Sequence, residues 1–184
     1  MSIQENGDRG FTLIEVLISL ALFTVVIVMS VSALLTVVDG NRKAQSMKAI
    51  MNNLNFALDS ISREMRVGTN FTSSFSITSR CAHDVSFANF DGHAVRYAME
   101  QHAGDSGNRI YRTVDGVQAP LTAGNIILDN GDTSPMFCLY GNSSLDTTQP
   151  YTFIRLIGHA GVSEKTTTNF SLQTVVSQRL PDIP

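Results

Sequence analysis

The sequence predicts an α+β chain in which a long N-terminal helix, half membrane-spanning and half amphipathic, packs on an antiparallel β-sheet head. Three observations lead there. Residues 11–38, FTLIEVLISLALFTVVIVMSVSALLTVV, contain no Lys, Arg, Asp, Gly or Pro, and Glu15 is their only charge. Between residues 47 and 65 apolar side chains recur at helical spacing. Beyond Gly68 the apolar period falls to two, and turn residues appear at short intervals.

At about 1.5 Å per residue, the run 11–38 is long enough to cross a bilayer core of roughly 30 Å, and it is assigned as a transmembrane helix. Glu15 is its anomaly. An ionised acid at the centre of such a helix costs on the order of 2.5–3.5 kcal/mol, less near an end where it reaches the interface. Hydropathy alone leaves two readings open: a tolerated interfacial acid, or a point where the helix meets a partner. A removable secretory signal fits poorly, because the run is too long and lacks an A-x-A-like end.

After Asp39-Gly40-Asn41, the residues Met47, Met51, Leu54, Leu58, Ile61 and Met65 are spaced 4, 3, 4, 3, 4, and Ile50 and Ala57 widen the stripe. The other face carries Asn52, Asn55, Asp59, Ser62, Arg63 and Arg66, with Asp59 and Arg63 at the favourable i,i+4 spacing. The repeat is too short to require a coiled coil, so this half of the helix is expected to pack on its own domain and to end near Gly68, a C′ candidate. Gly40 is read either as a joint or as a costly helical glycine.

Seven strands are expected: Val85 to Phe90, His93 to Met99, Arg109 to Val114, Asn125 to Leu128, Met136 to Tyr140, Tyr151 to Ile157 and Phe170 to Ser177. Asp91-Gly92 reads as the turn of a hairpin between the first two. Val95, Tyr97 and Met99 share one face of their strand. A single antiparallel sheet against the amphipathic half-helix is the simplest arrangement that buries both apolar faces. The organisation is therefore 1–10 as a leader, 11–68 as the helix and 69–184 as a β-rich head. Polar loops at 103–108, 129–135 and 141–150 are free to carry contacts.

The chain has a net charge of −3 and a pI near 5.7, with no polybasic footprint, so nucleic acid is not indicated as a partner. Nothing suggests catalysis or a cofactor. Gly104-Asp105-Ser106-Gly107 resembles the nucleophile segment of chymotrypsin-like proteases, but Asn108 stands where a further Gly is needed, and the segment is read as a turn. His83, His93, His102 and His159 lack metal-ligand spacing, and Asp129-Asn130-Gly131-Asp132 lacks the EF-hand pattern for calcium. The chain is not expected to be an enzyme.

The stretch Gly10-Phe11-Thr12-Leu13-Ile14-Glu15 changes the reading of the N-terminus. A short polar leader ending in Gly, then Phe, then an apolar helix with Glu at its fifth residue resembles the class III signal of type IV pilins and type II secretion pseudopilins. The resemblance implies that a prepilin peptidase cuts between Gly10 and Phe11 and that Phe11 becomes an N-methylated N-terminus. It also implies that Glu15 meets the N-terminal amine of a neighbouring subunit, since two buried opposite charges are tolerated when they meet. It places the precursor as a single-pass protein of the inner membrane with its head outside the cytoplasm, and later in a pilus or pseudopilus with other pilins. Lys/Arg counting across the helix favours the opposite orientation, because Arg42, Lys43 and Lys48 follow it; the processing signal is the more specific observation and is followed. A mid-helix Pro, common in major pilins, is absent from Val31-Ser32-Ala33.

The segments Arg63-Glu64-Met65-Arg66, Val85-Ser86-Phe87, Val95-Arg96-Tyr97, Arg109-Ile110-Tyr111-Arg112 and Phe170-Ser171-Leu172-Gln173-Thr174-Val175-Val176 are similar in order to minor pilins of the J or W type. The expected function is that of a minor pilin in the assembly, initiation or tip of a type IV pilus. The alternatives are a minor pseudopilin of a type II secretion or DNA-uptake system, and a permanently anchored binding module or enzyme. For a head outside the cytoplasm, the paired Cys81 and Cys138 read as one disulfide, and two separate buried thiols are the alternative.

Overall fold

The computed structural model describes residues 10–74, 80–129, 135–141, 149–161 and 167–179. One helix, α1 (Leu13–Val67), contains no Pro and passes through Gly40 unbroken. The chain divides into two compact units, Met1–Ala44 and Gln45–Pro184, and each is described by itself.

In the second unit, the C-terminal part of α1 buries Ile50, Leu54, Ala57, Ile61 and Met65, with Met47, Met51 and Leu58 half-buried beside them. The predicted stripe is present, with its centre rotated towards Ile50 and Ala57. The expected Asp59–Arg63 pair forms at 2.6 Å on the exposed side. The helix stops at Val67, but Gly68 does not take the left-handed conformation of a C′ cap. Its need for glycine is steric: a Cβ there would lie 2.5 Å from the Phe87 ring.

Ten strands follow among the described residues: β1 (Thr69–Thr72), β2 (Cys81–Ala82), β3 (Asp84–Ala88), β4 (Ala94–Glu100), β5 (Arg109–Val114), β6 (Val117–Pro120), β7 (Ile126–Leu128), β8 (Phe137–Tyr140), β9 (Tyr151–Ala160) and β10 (Thr168–Ser177). They form two antiparallel sheets instead of the single one expected. The first is ordered β1-β3-β4-β5-β6; the second is ordered β10-β9-β8-β2, with β7 also on β9. Within the second sheet, β9 is long enough to pair with β8 over 151–154 and with β7 over 158–160. Period-two burial identifies a strand but does not say which strand lies beside it.

Apolar residues from α1 and the inner faces of both sheets make one core, including Ile61, Met65, Val85, Tyr97, Ile110, Phe137, Ile154 and Leu156. Val95 and Tyr97 are buried and Met99 half-buried, as their shared face predicts. The strands missed by sequence are β1, β2 and β6. The first contains the positive-φ Asn70 and a register shift, the second has two residues, and the third is wholly exposed and holds Pro120 at a sheet edge.

The hairpin reading needs a correction of detail. Asp91-Gly92 lies in a five-residue loop, because β3 and β4 end their pairing at Ala88 and Ala94. The Asn89 side chain closes that loop by accepting from the amides of Asp91 and His93 at 3.0 and 2.9 Å. The tight two-residue turn is at the other Asp-Gly dipeptide, Asp115-Gly116, where φ is 48° and 84° between the paired Val114 and Val117. Two consecutive positive φ values define the hairpin turn that this dipeptide favours.

Candidate functional site

The N-terminal unit is where the sequence concentrates its unusual chemistry. Gly10 precedes the helix, and a Cβ built on it would meet nothing within 4 Å; Phe11 is 81% exposed. Thr12 is the N-cap of α1. Its hydroxyl accepts the Glu15 amide at 3.3 Å, and its carbonyl accepts from Glu15 and Val16 at 3.1 and 3.2 Å. Thr12 and Glu15 thus stand in the order of a capping box, with the acid at the third helical position, where the helix dipole favours negative charge. Sequence reasoning treated Glu15 as an intruder in an apolar run and overlooked this local role, although the spacing T-x-x-E was visible in it.

The rest of the unit explains how a polar residue survives in an apolar helix. The hydroxyls of Ser19, Thr24, Ser30, Ser32 and Thr36 each donate to the carbonyl four residues earlier, at 2.7 to 3.1 Å. In a bilayer, where no water is available, such internal satisfaction is required. Every described side chain from Gly10 to Ala44 is exposed, large apolar ones included. The helix holds a stretch long and apolar enough to cross a membrane, with a mean hydropathy of 2.6. A helix that is apolar all round and uncovered by its own chain requires lipid or other helices.

In the second unit, a carboxylate fastens the helix to the first sheet. Glu64 accepts the Tyr97 hydroxyl at 2.6 Å and the Arg112 Nε at 3.1 Å, and also the Arg112 Nη2. Burial and the bond to Glu64 push the Tyr97 phenol well above its ordinary pKa. Cys81 and Cys138 face each other across β2 and β8, with Cα atoms 4.0 Å apart and the sulfurs joined at 2.01 Å.

The segment around Asp105 forms a turn with Gly104 at φ 94°. The Asp105 carboxylate accepts from the Tyr111 hydroxyl, the His102 amide at 3.0 Å and Arg109 Nη1 at 2.9 Å. These three donors, the phenol foremost, lower its pKa to about 2. The carboxylate is engaged by Tyr111 and Arg109, and Ser106 beside it is exposed. His93 pairs with Asp115 at 2.6 Å and His102 with Glu100 at 3.2 Å. Among the described residues no group of three His, Cys, Asp or Glu converges as a metal site, and residues 130–132 of the calcium candidate lie outside them.

Residues 6–37 match the family model described as the prokaryotic N-terminal methylation motif. No curated protein and no solved structure matches the chain. The match covers the leader junction, the Thr12 cap, Glu15 and the apolar helix, and it is the class III signal carried by type IV pilin-like proteins. The head lies outside it.

Proposed function

We propose that this chain is a prepilin-type subunit, a minor pilin that enters a type IV filament through its apolar helix and presents the two-sheet head. The observation that carries the reading is the coincidence of the methylation motif at 6–37 with an apolar helix exposed over its whole circumference. Prepilin peptidase cleaves between Gly10 and Phe11, and Phe11 then carries the methylated amine. The unobstructed glycine backbone suits a peptidase that must approach closely, and the cap at Thr12 starts the helix two residues past the cut. Before assembly the helix rests in the inner membrane, which replaces water around it; in the filament, neighbouring pilin helices take that place. Glu15 supplies the carboxylate that receives a neighbour's N-terminal amine.

The absence of Pro from α1 supports a minor over a major subunit. N-terminal sequencing and intact mass of the membrane-extracted protein test the processing step. A mature chain starting at methylated Phe11 is expected, and Gly10→Val should leave the precursor intact. The same mature terminus from Gly10→Val overturns the reading.

A further inference from the structure

In the head, Arg63, Arg96, Arg109 and Arg112 each pair with a carboxylate of the same chain. Arg42 and Lys43, which close the N-terminal unit, do not. Both are exposed, and among the described residues neither has an ion pair or a side-chain hydrogen bond, although Asp39 stands at the i,i+4 spacing from Lys43. They follow the apolar run 11–38 by one helical turn on the unbroken α1. With the head outside the cytoplasm, they also lie on the side of the membrane to which the Lys/Arg bias does not assign them. Two cations in that place need an anion from elsewhere.

The dimensions of the helix say where that anion lies. From Glu15 to Arg42 the rise along α1 is about 40 Å at 1.5 Å per residue, and a bilayer with its headgroup layers is roughly 40–45 Å thick. The charges at the two ends therefore reach both headgroup layers at once, while the hydrocarbon core takes about twenty of the residues between them. Side-chain direction sharpens the match, because every Cα–Cβ bond of an α-helix leans towards its N-terminus. Glu15 leans out of the core at its own end, whereas Arg42 and Lys43 lean back onto the bilayer surface from theirs. Their stems then lie along the acyl boundary with the cationic heads among the phosphates.

We propose that Arg42 and Lys43 bind the phosphate of an anionic phospholipid in the headgroup layer opposite Glu15, and that this contact sets the depth at which the helix rests in the membrane. The proposal rests on the membrane stage of the reading above and adds its ligand. The Arg42 guanidinium offers two parallel N–H donors that fit a pair of phosphate oxygens, and Lys43 adds a point charge beside it. Asp39, Arg42 and Lys43 together carry one net positive charge, which a single phosphodiester headgroup neutralises. A zwitterionic lipid presents the same phosphate but brings its own cation, so the site prefers a headgroup that is negative overall.

The test places the full chain in vesicles of mixed phosphatidylcholine and phosphatidylglycerol. Solid-state NMR reads the dephasing of arginine guanidinium carbons by lipid phosphorus, and native mass spectrometry counts the lipids of each class that the chain retains. Wild type should show a dephased guanidinium signal that Arg42→Gln removes. Its preference for phosphatidylglycerol should fall about fivefold for each of Arg42→Gln and Lys43→Gln, and Arg42→Lys should keep most of it. No dephasing in wild type, a signal unchanged in Arg42→Gln, or equal retention of the two lipids overturns the proposal. So does a double Gln variant that keeps the lipid preference but is lost from filaments, since the two cations then serve a neighbouring subunit's acid. Release of wild type from the vesicles by alkaline carbonate overturns the membrane-spanning reading itself, and the proposal with it.

Discussion

The Glu64 carboxylate and the Tyr97 hydroxyl meet at 2.6 Å across the boundary between α1 and the first sheet, and Arg112 closes the group from β5. Three residues distant in sequence thereby fix the rotation of the helix about its axis on the sheet, which the apolar stripe alone leaves loose. Tyr97→Phe removes a bond to a charged acceptor and should cost about 1.5–3 kcal/mol. Glu64→Leu should cost more, because Arg112 and Tyr97 then lose their shared acceptor in a partly buried place. Urea unfolding of both single variants and the double variant checks this; strict additivity would show that the three do not act as a unit.

The same group sets an alkaline limit. The folded state holds the Tyr97 phenol above its unfolded pKa near 10, so it binds a proton that the unfolded chain releases. Its contribution is complete below pH 10 and is lost as pH rises beyond. Thermal midpoints between pH 8 and 11 should fall more steeply for wild type than for Tyr97→Phe.

Asp105 works in the opposite sense. Its pKa, lowered to about 2, means that it stabilises the fold above its unfolded value of 3.8 and that this contribution fades as pH falls towards 2. Asp105→Asn should be less stable than wild type at neutral pH and should converge on it at pH 2, as thermal melts at pH 7, 4 and 2 will register.

Cys81 and Cys138 close a loop with a sequence separation of 57 between two strands of the second sheet. Alkylation of the denatured chain without reductant should label neither residue. Reduction, or Cys81→Ser, should cost about 4 kcal/mol in the chain-entropy model. Full labelling of both thiols removes the bridge.

Two roles meet at Glu15: its backbone amide donates to the Thr12 cap, and in the proposed filament its carboxylate receives a neighbour's amine. Glutamine can serve the first and not the second. Glu15→Gln and Glu15→Leu should therefore both be processed at Gly10, and both should be under-represented in sheared filaments relative to membranes, with Glu15→Asp nearer wild type. Normal incorporation of Glu15→Gln would overturn the proposed role of the carboxylate.

What could be read from the sequence was whatever is repeated along the chain. The 3.6-residue stripe through Leu54 and Ile61 and the alternation at Val95 and Tyr97 are local signals, and both place the right side chains in the core. Pairing is not local. β2, of two residues, leaves the neighbourhood of β1 and β3 to join the second sheet, and no pattern in Cys81-Ala82 announces it. Two Asp-Gly dipeptides look alike as sequence, and only the strand ends decide that the tight turn forms at Asp115-Gly116. At the N-terminus the order Gly10, Phe11, Glu15 was conspicuous because a charge in an apolar run stands out. The Thr12 cap was overlooked because a threonine there does not.

The five hydroxyls of the apolar helix that turn back onto their own backbone bear on how this segment changes surroundings. With those donors occupied, the lateral surface offers neighbours shape and dispersion, and its side-chain polarity is gathered at Glu15 and the end that carries it. Departure from lipid then breaks no side-chain hydrogen bond along the shaft, and arrival among other helices requires none to form. The helix is interchangeable between two oily solvents, a property that suits the proposed passage from membrane to filament.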